Sequence, residues 1–325
     1  MKAVVFEGKG GPEVLRLSER PRPDCHAEGI LVRVAASALN RADILQRLGR
    51  YPAPPGWPPD IPGLEYAGIV EAAGGGASRW RPGDRVMGLV GGGAQAEFVA
   101  VHESEALRVP DGMALADAAA IPESFLTAFD ALVVRARLSA GERVLVHAAG
   151  SGLGTAAIQL ARALGATVVG TSRTAGKLER ARSLGLDEAV ETRDGSFRDA
   201  IAEPVDIVLD VLGAPAWRDN LAVLAPRGRL VLLGFLAGSR GELDLEPVLR
   251  KRLEVIGTVM RARGLAERAM LVRRAEAELM PLFEGGALRP VIAHRFPMDD
   301  VALAHRELES NDAFGKIVLE WPPTP

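Results

Sequence analysis

Three glycines, Gly150, Gly152 and Gly154, set the first chemical constraint in the sequence. They interrupt RVLVHAAGSGLGTAAIQLARALGA (143–166), in which the apolar run Val144, Leu145, Val146 leads into the glycines. Ile158, Ala161 and Leu164 then recur at near-helical spacing, with Gly165 as the stop. A strand, a glycine turn and a helix leave backbone amides unpaired at the helix start, and such amides bind phosphate. Glycine there permits a tight turn, a close anion and close packing of helix on sheet. The other positions of a G-x-G-x-x-G fingerprint hold Ala149 and Ser151, so an ordinary strand-to-helix turn competes with the nucleotide reading. The next strand, 167–171, favours the nucleotide, because a dinucleotide fold begins its second βα unit there. Ser151, Gly152, Leu153 and Gly154 are the expected pyrophosphate contacts.

The second strand also bears on which nucleotide. Where an NAD enzyme carries Asp or Glu for the ribose hydroxyls, the chain reads Thr171-Ser172-Arg173-Thr174. Lys177 falls in the first turn of the next helix, where the macrodipole disfavours a cation by about 0.3–1 kcal/mol unless an anion is near. A ribose 2′-phosphate would be that anion, with Ser172, Arg173 and Lys177 around it; the competing reading is a solvated Arg and Lys. NADPH is therefore the expected cofactor. Gly234 and Phe235, which end a later apolar run, are expected at its nicotinamide end.

The chain of 325 residues, 48% hydrophobic and 25% charged with a net charge of -3, is expected to form two globular domains. No basic surplus points to nucleic acid. With no apolar run of about 18 residues and a strand-like start, KAVVF, no membrane association is expected and the compartment expected is the cytoplasm. Cys25 is alone, so it forms neither an intrachain disulfide nor a thiolate zinc cluster.

Short strands separated by Gly and Pro turns fill the first 120 or so residues: KAVVF, VLRLSE, ILVRVAASAL, AGIVEAAG, DRVMGLV and AEFVAV, a partly closed β-barrel in prospect. Residues 40–48 read as a short helix, and PAPPGWPPDIP as a rigid loop. From about Ile121 the pattern changes to helix at 124–134 and then strands at 144–148, 167–171, 188–191, 206–210, 229–233 and 253–257, alternating with helices. That alternation fits a doubly wound parallel sheet of order 3-2-1-4-5-6 with ligand at its carboxyl edge. The tail reads as one long helix, RAMLVRRAEAELMPLF, followed by strands near 291–296 and 316–320 that rejoin the first domain. The expected domains are 1–123 with 265–325, and 124–264. Low complexity is confined to the terminal WPPTP.

Several stretches together carry a resemblance: GGPEVL, ALNRADILQRLGRYPAPPG, GLEYAG, PESFLTA, SGLGTAAIQL and the closing GKIVLE. Through almost its whole length the chain resembles the medium-chain dehydrogenase/reductase superfamily, specifically the zinc-independent quinone oxidoreductase (ζ-crystallin-like) branch and, within it, the p53-inducible type. The resemblance implies an N-terminal GroES-like β-barrel domain beside a Rossmann domain. Zinc enzymes of the superfamily place their catalytic metal ligands where this chain has Asn40, Leu64 and, approximately, Glu123, so no metal is expected.

The resemblance also places Asn40, Asp43, Tyr51 and Thr127 beside substrate and nicotinamide, in a cleft between the domains under a loop at 49–62. Asn40 and Asp43 could equally be helix-capping residues, and Tyr51 could pack on Trp57. Glu65 reads as structural, and His147, His294 and His305 as satisfied or surface histidines. Ser151 puts a side chain where a close pyrophosphate usually asks for glycine. The implied activity is NADPH-dependent reduction of a quinone or activated enone. A 2-alkenal or enoyl reductase and a non-catalytic, crystallin-like nucleotide binder are the alternatives. A homodimer is expected through LVLLG and LEVIG, read as apolar edge strands.

Overall fold

The computed structural model describes residues 1–192 and 196–322. The final three residues of WPPTP lie outside them. The chain forms two compact units, one of Met1–Leu126, Met260–Gly286 and the segment from Pro290, the other of Thr127–Val259 and Ala287–Arg289.

The first unit is built on strands that bury one face. β1 (Lys2–Phe6) and β2 (Leu15–Glu19) pair antiparallel. β3 (Gly29–Ala38), β4 (Glu65–Ala73), β5 (Arg85–Leu89), β6 (Phe98–His102) and β7 (Ala106–Arg108) supply most of a seven-stranded sheet. Ile30, Val32, Val34, Tyr66, Val70 and Val86 turn inward to one core, each aliphatic side chain adding about 1.5–3 kcal/mol by leaving water.

Six further strands belong to the second unit: β8 (Arg143–Val146), β9 (Thr167–Ser172), β10 (Glu188–Glu191), β11 (Val205–Asp210), β12 (Leu224–Leu232) and β13 (Glu254–Gly257). They form one parallel sheet in the order β10-β9-β8-β11-β12-β13, the doubly wound order read from the sequence. LVLLG differs from expectation. Most of it lies in β12, which is covered on both edges by β11 and β13, so LEVIG alone supplies an edge. An apolar run is as compatible with a central strand as with an edge.

The expected helix at 124–134 begins at Pro122, a favoured residue in a first turn. It is α-helical over Pro122–Phe129 and widens into a π-helix over Asp130–Arg135. The tail helix is two helices, Leu265–Glu278 and Met280–Glu284, the second with the N–H-less Pro281 in its first turn. β14 (Ile292–Pro297) and β15 (Lys316–Glu320) then complete the first unit's sheet, β15 lying antiparallel to β3 with Val318 opposite Ala38.

Candidate active site

In the second unit, the chain leaving β8 is held by His147. Its Nδ1 lies 2.8 Å from Thr171 Oγ1 and its Nε2 2.7 Å from Asn220 Oδ1. Burial lowers its pKa to about 4, so the ring is neutral and structural. Ala148 follows in the left-handed region, φ 52°, and the helix Gly152–Ala163 begins after Ser151. The Ser151 hydroxyl accepts from Gly154 N at 2.9 Å. Ser151 thus caps its own helix, leaving the amides of Gly152 and Leu153 as the helix-start donors without an intrahelical acceptor. A Cβ at Gly154 would lie 2.4 Å from the Ala148 carbonyl oxygen, so a side chain there would lift the helix off the turn.

Lys177 is in the first turn of the helix Ala175–Arg182, and its stem lies across the glycine turn: a Cβ on Gly150 would come within 2.7 Å of Lys177 Cδ. Ser172 ends β9, and its hydroxyl accepts from Thr174 N at 3.2 Å; Arg173 is exposed. Gly234 and Phe235 follow β12 at the carboxyl edge, with Phe235 55% exposed. Thr127 Oγ1 is buried and has no hydrogen-bond partner, a state that costs about 1–3 kcal/mol. These features fit a phosphorylated dinucleotide: free amides at a helix start, a lysine over the turn, and a buried hydroxyl that a carboxamide can satisfy.

The first unit brings Asn40 and Asp43 together, in different jobs. Asp43, fully buried in the helix Arg41–Arg47, accepts from Asn40 N at 2.8 Å with one oxygen and from Gly63 N at 2.9 Å with the other. It joins the helix start to the loop before β4, the capping role. Burial raises its pKa to about 6 despite these bonds. The Asn40 amide turns instead to a buried ion pair: Nδ2 donates to Glu65 Oε1 at 2.9 Å, and Oδ1 accepts from Lys316 Nζ at 2.6 Å. Lys316 Nζ also donates to Leu39 O at 2.9 Å and lies 2.6 Å from Glu65 Oε1. The second Glu65 oxygen accepts from Glu123 N at 2.8 Å. Glu65, expected as structural, is the hub of this network, and Lys316 was missed. The one signal for Lys316 was a cation opening the apolar strand KIVLE.

Arg261 was also missed. Its guanidinium is buried and donates to Gly91 O at 2.7 Å, Tyr51 O at 2.9 Å and Gln46 Oε1 at 2.6 Å. It also stands 4.9 Å over the Tyr51 ring. The Tyr51 ring thus has a cation over its face. Trp57 lies against Gly91, where a Cβ would come within 2.4 Å of its ring, and Gln46 Nε2 donates to Pro59 O at 3.3 Å. The proline-rich loop is pinned along its length. Burial raises the Tyr51 pKa, with Glu123 adding to the effect.

His294 faces Glu307 at the surface, 3.2 Å away. His305 departs from expectation: it is wholly buried, and neither ring nitrogen has a hydrogen-bond partner. Burial, then the Arg47 charge, lowers its pKa to about 3.

A zinc ion does not fit the first unit. Leu64 is a buried hydrocarbon, and the Asn40 amide is committed to Lys316 and Glu65. Among the described residues no group of three His, Cys, Asp or Glu could hold a metal.

A doubly wound sheet whose glycine turn fits a dinucleotide, and a β unit enclosing a buried charge network, are features of nicotinamide-dependent oxidoreductases. Residues 26–111 match the family "Alcohol dehydrogenase GroES-like domain" and residues 152–276 the family "Zinc-binding dehydrogenase". Quinone oxidoreductase of Homo sapiens is 33% identical over 333 residues, covering 98% of this chain and 97% of that protein. The Escherichia coli quinone oxidoreductase structure, complexed with NADPH, superimposes with a TM-score of 0.88 at 29% identity, covering 98% of this chain and 100% of that one. CurK enoyl reductase gives a TM-score of 0.87 at 29% identity, covering 99% of each chain. The chain belongs to the medium-chain dehydrogenase/reductase superfamily, with quinone oxidoreductase homologues along its full length.

Proposed function

We propose that the chain is an NADPH-dependent, zinc-independent reductase that passes hydride to a quinone or an activated enone. The observation that carries this reading is the Asn40–Glu65–Lys316 network, a self-satisfied ion pair that engages Asn40, one of the positions where zinc relatives hold their metal. Without a Lewis acid, an unactivated ketone gains little stabilisation of its developing charge. A quinone or enone spreads that charge over its own π-system.

Bound cofactor supplies the hydride. Ser151, Gly152, Leu153 and Gly154 would hold pyrophosphate, with the Gly152 and Leu153 amides as its donors, Ser172, Arg173 and Lys177 the 2′-phosphate, and Thr127, Gly234 and Phe235 the nicotinamide end. Asn40, Asp43 and Tyr51 shape the acceptor site, with Asp43 acting through the backbone it fixes. The NADPH named with the Escherichia coli relative supports the cofactor assignment.

The likeness to CurK enoyl reductase favours one alternative, an enoyl or 2-alkenal substrate. A panel of quinones, 2-alkenals and enoyl thioesters, followed by loss of NADPH absorbance, decides between them. The proposed reading expects the highest kcat/KM with a quinone; turnover of enoyl thioesters alone would refute it, and no turnover at all would leave a nucleotide-binding protein of the crystallin kind. No described helix is long and apolar enough to cross a membrane, and the cytoplasm is the proposed compartment. A homodimer through β13 is proposed because Leu245, Leu249 and Val255, on and just before that edge strand, are exposed apolar residues.

A further inference from the structure

The network of the first unit is closed except at one carboxyl. Glu65 uses both oxygens, Lys316 has three acceptors, Asp43 uses both oxygens, and Arg261 has three acceptors. All four are nearly or fully inaccessible, at 0%, 4%, 0% and 6% exposure in that order. Glu123, in the first turn of the helix Pro122–Phe129, gives its backbone N–H to Glu65 and keeps partial exposure.

Charge counting then fixes its state. At neutral pH the two cations, Lys316 and Arg261, balance the two anions, Glu65 and Asp43. A fifth charge on Glu123 would be uncompensated beside low-dielectric surroundings and would repel Glu65 and Asp43. Glu123 lies one helical turn before Thr127 on the helix Pro122–Phe129, on the same face as that unpartnered hydroxyl; the charges that act on it are Glu65 on β4, Lys316 on β15, Asp43 on the helix Arg41–Arg47 and Arg261, and it acts in turn on Tyr51 in the proline-rich loop. Desolvation first, then Glu65, raise its pKa to about 8, and the two cations offset only part of the rise.

We propose that Glu123 is the general acid that delivers the proton to the reduced acceptor. This rests on the reductase reading above. In the balanced step, the acceptor takes hydride from the reduced nicotinamide, its carbonyl π-electrons move onto oxygen, and that oxyanion takes the proton as the Glu123 O–H bond breaks. Glu123 is left as carboxylate and regains its proton from water. Lys316 acts as a positioning residue: it holds Glu65, and Glu65 holds the Glu123 backbone.

Glu123→Gln tests this, because the amide matches the neutral acid in size and charge. Infrared titration of the cofactor-free protein should show a carboxylic-acid band that disappears with a midpoint near pH 8 and is missing from the variant. In turnover with an enone and NADPH, wild-type kcat should fall as pH rises through the same midpoint. Glu123→Gln should lower kcat by about 100-fold or more, flatten that alkaline limb and leave NADPH affinity unchanged; Glu123→Asp should restore a limb. If the cofactor-free wild type shows no such band above pH 7, or if Glu123→Gln follows the wild-type profile at every pH, the role assigned to Glu123 is wrong while the reductase reading stands. If wild type reduces neither quinone nor enone, the reductase reading falls and takes the role with it, whatever the infrared band does.

Discussion

Lys316→Met is the sharpest probe of how the first unit is held together. The methionine matches the lysine stem in length but removes the ammonium from Glu65, Asn40 and Leu39, with Glu65 0% and Lys316 5% exposed at the side chain. Breaking a buried pair by deleting one partner costs about 3–5 kcal/mol, most of it the penalty of the stranded charge. For a unit of this size about 1 kcal/mol moves the melting midpoint by about 2–4 °C, so a fall of about 6–20 °C is expected. The assay is thermal unfolding by tryptophan fluorescence in a Trp217→Phe background, which leaves Trp57, Trp80 and Trp321 as reporters of the first unit. Adding Glu65→Gln to Lys316→Met should recover a large part of the loss, because the neutral amide oxygen can still accept from Glu123 N without stranding a charge. A Lys316→Met midpoint equal to wild type, or a double variant less stable than the single, would refute the reasoning.

The other predictions concern cofactor, loop, protons, metal and assembly. Lys177→Glu should weaken NADPH by about 1–3 kcal/mol and NADH far less, read by cofactor titration; equal wild-type affinities for the two would remove the 2′-phosphate assignment. Arg261→Met should raise KM for the quinone and expose the 49–62 loop to limited proteolysis, and an unchanged digestion pattern would count against the clamp. Unfolded His305 takes up a proton below about pH 6.5 that the folded ring refuses until about pH 3. Acidification through that window therefore destabilises the protein, and His305→Phe should flatten the loss in denaturant titrations. Chelation should spare activity, and stoichiometric zinc in active protein would overturn the metal-free assignment. Val255→Asp on β13 should yield monomers in light scattering if that edge forms the dimer; a monomeric wild type would end that proposal.

The parallel sheet was legible because each strand is a short β-branched run followed by a helical period, and the strand order follows from how such units wind. The glycine turn was legible for the same local reason. Arg261, Lys316 and the hub role of Glu65 were not. Each acts through residues far away in sequence: Lys316 donates to Leu39 across 277 positions and Arg261 to Gln46 across 215, distances over which period and spacing carry no signal. Ser151 was read as a phosphate neighbour, and its capping role was not read: its hydroxyl oxygen accepts from Gly154 N while its O–H stays available as a donor. LVLLG was misplaced at an edge because hydrophobicity reports burial without telling which neighbours provide it.

The placement of Lys316 on the last strand of the fold has a consequence for biosynthesis. Glu65 and Asp43 leave the ribosome early, but the cations that balance them, Arg261 and finally Lys316, emerge only after the whole parallel sheet has been made. At about 5–20 residues per second, roughly 10–40 s separate Leu126 from Lys316. During that interval the second unit can close around its own contiguous strands while the first waits, its acidic residues still hydrated. A chain that stops short of β15 can complete its parallel sheet and still lack a neutral interior in the other unit.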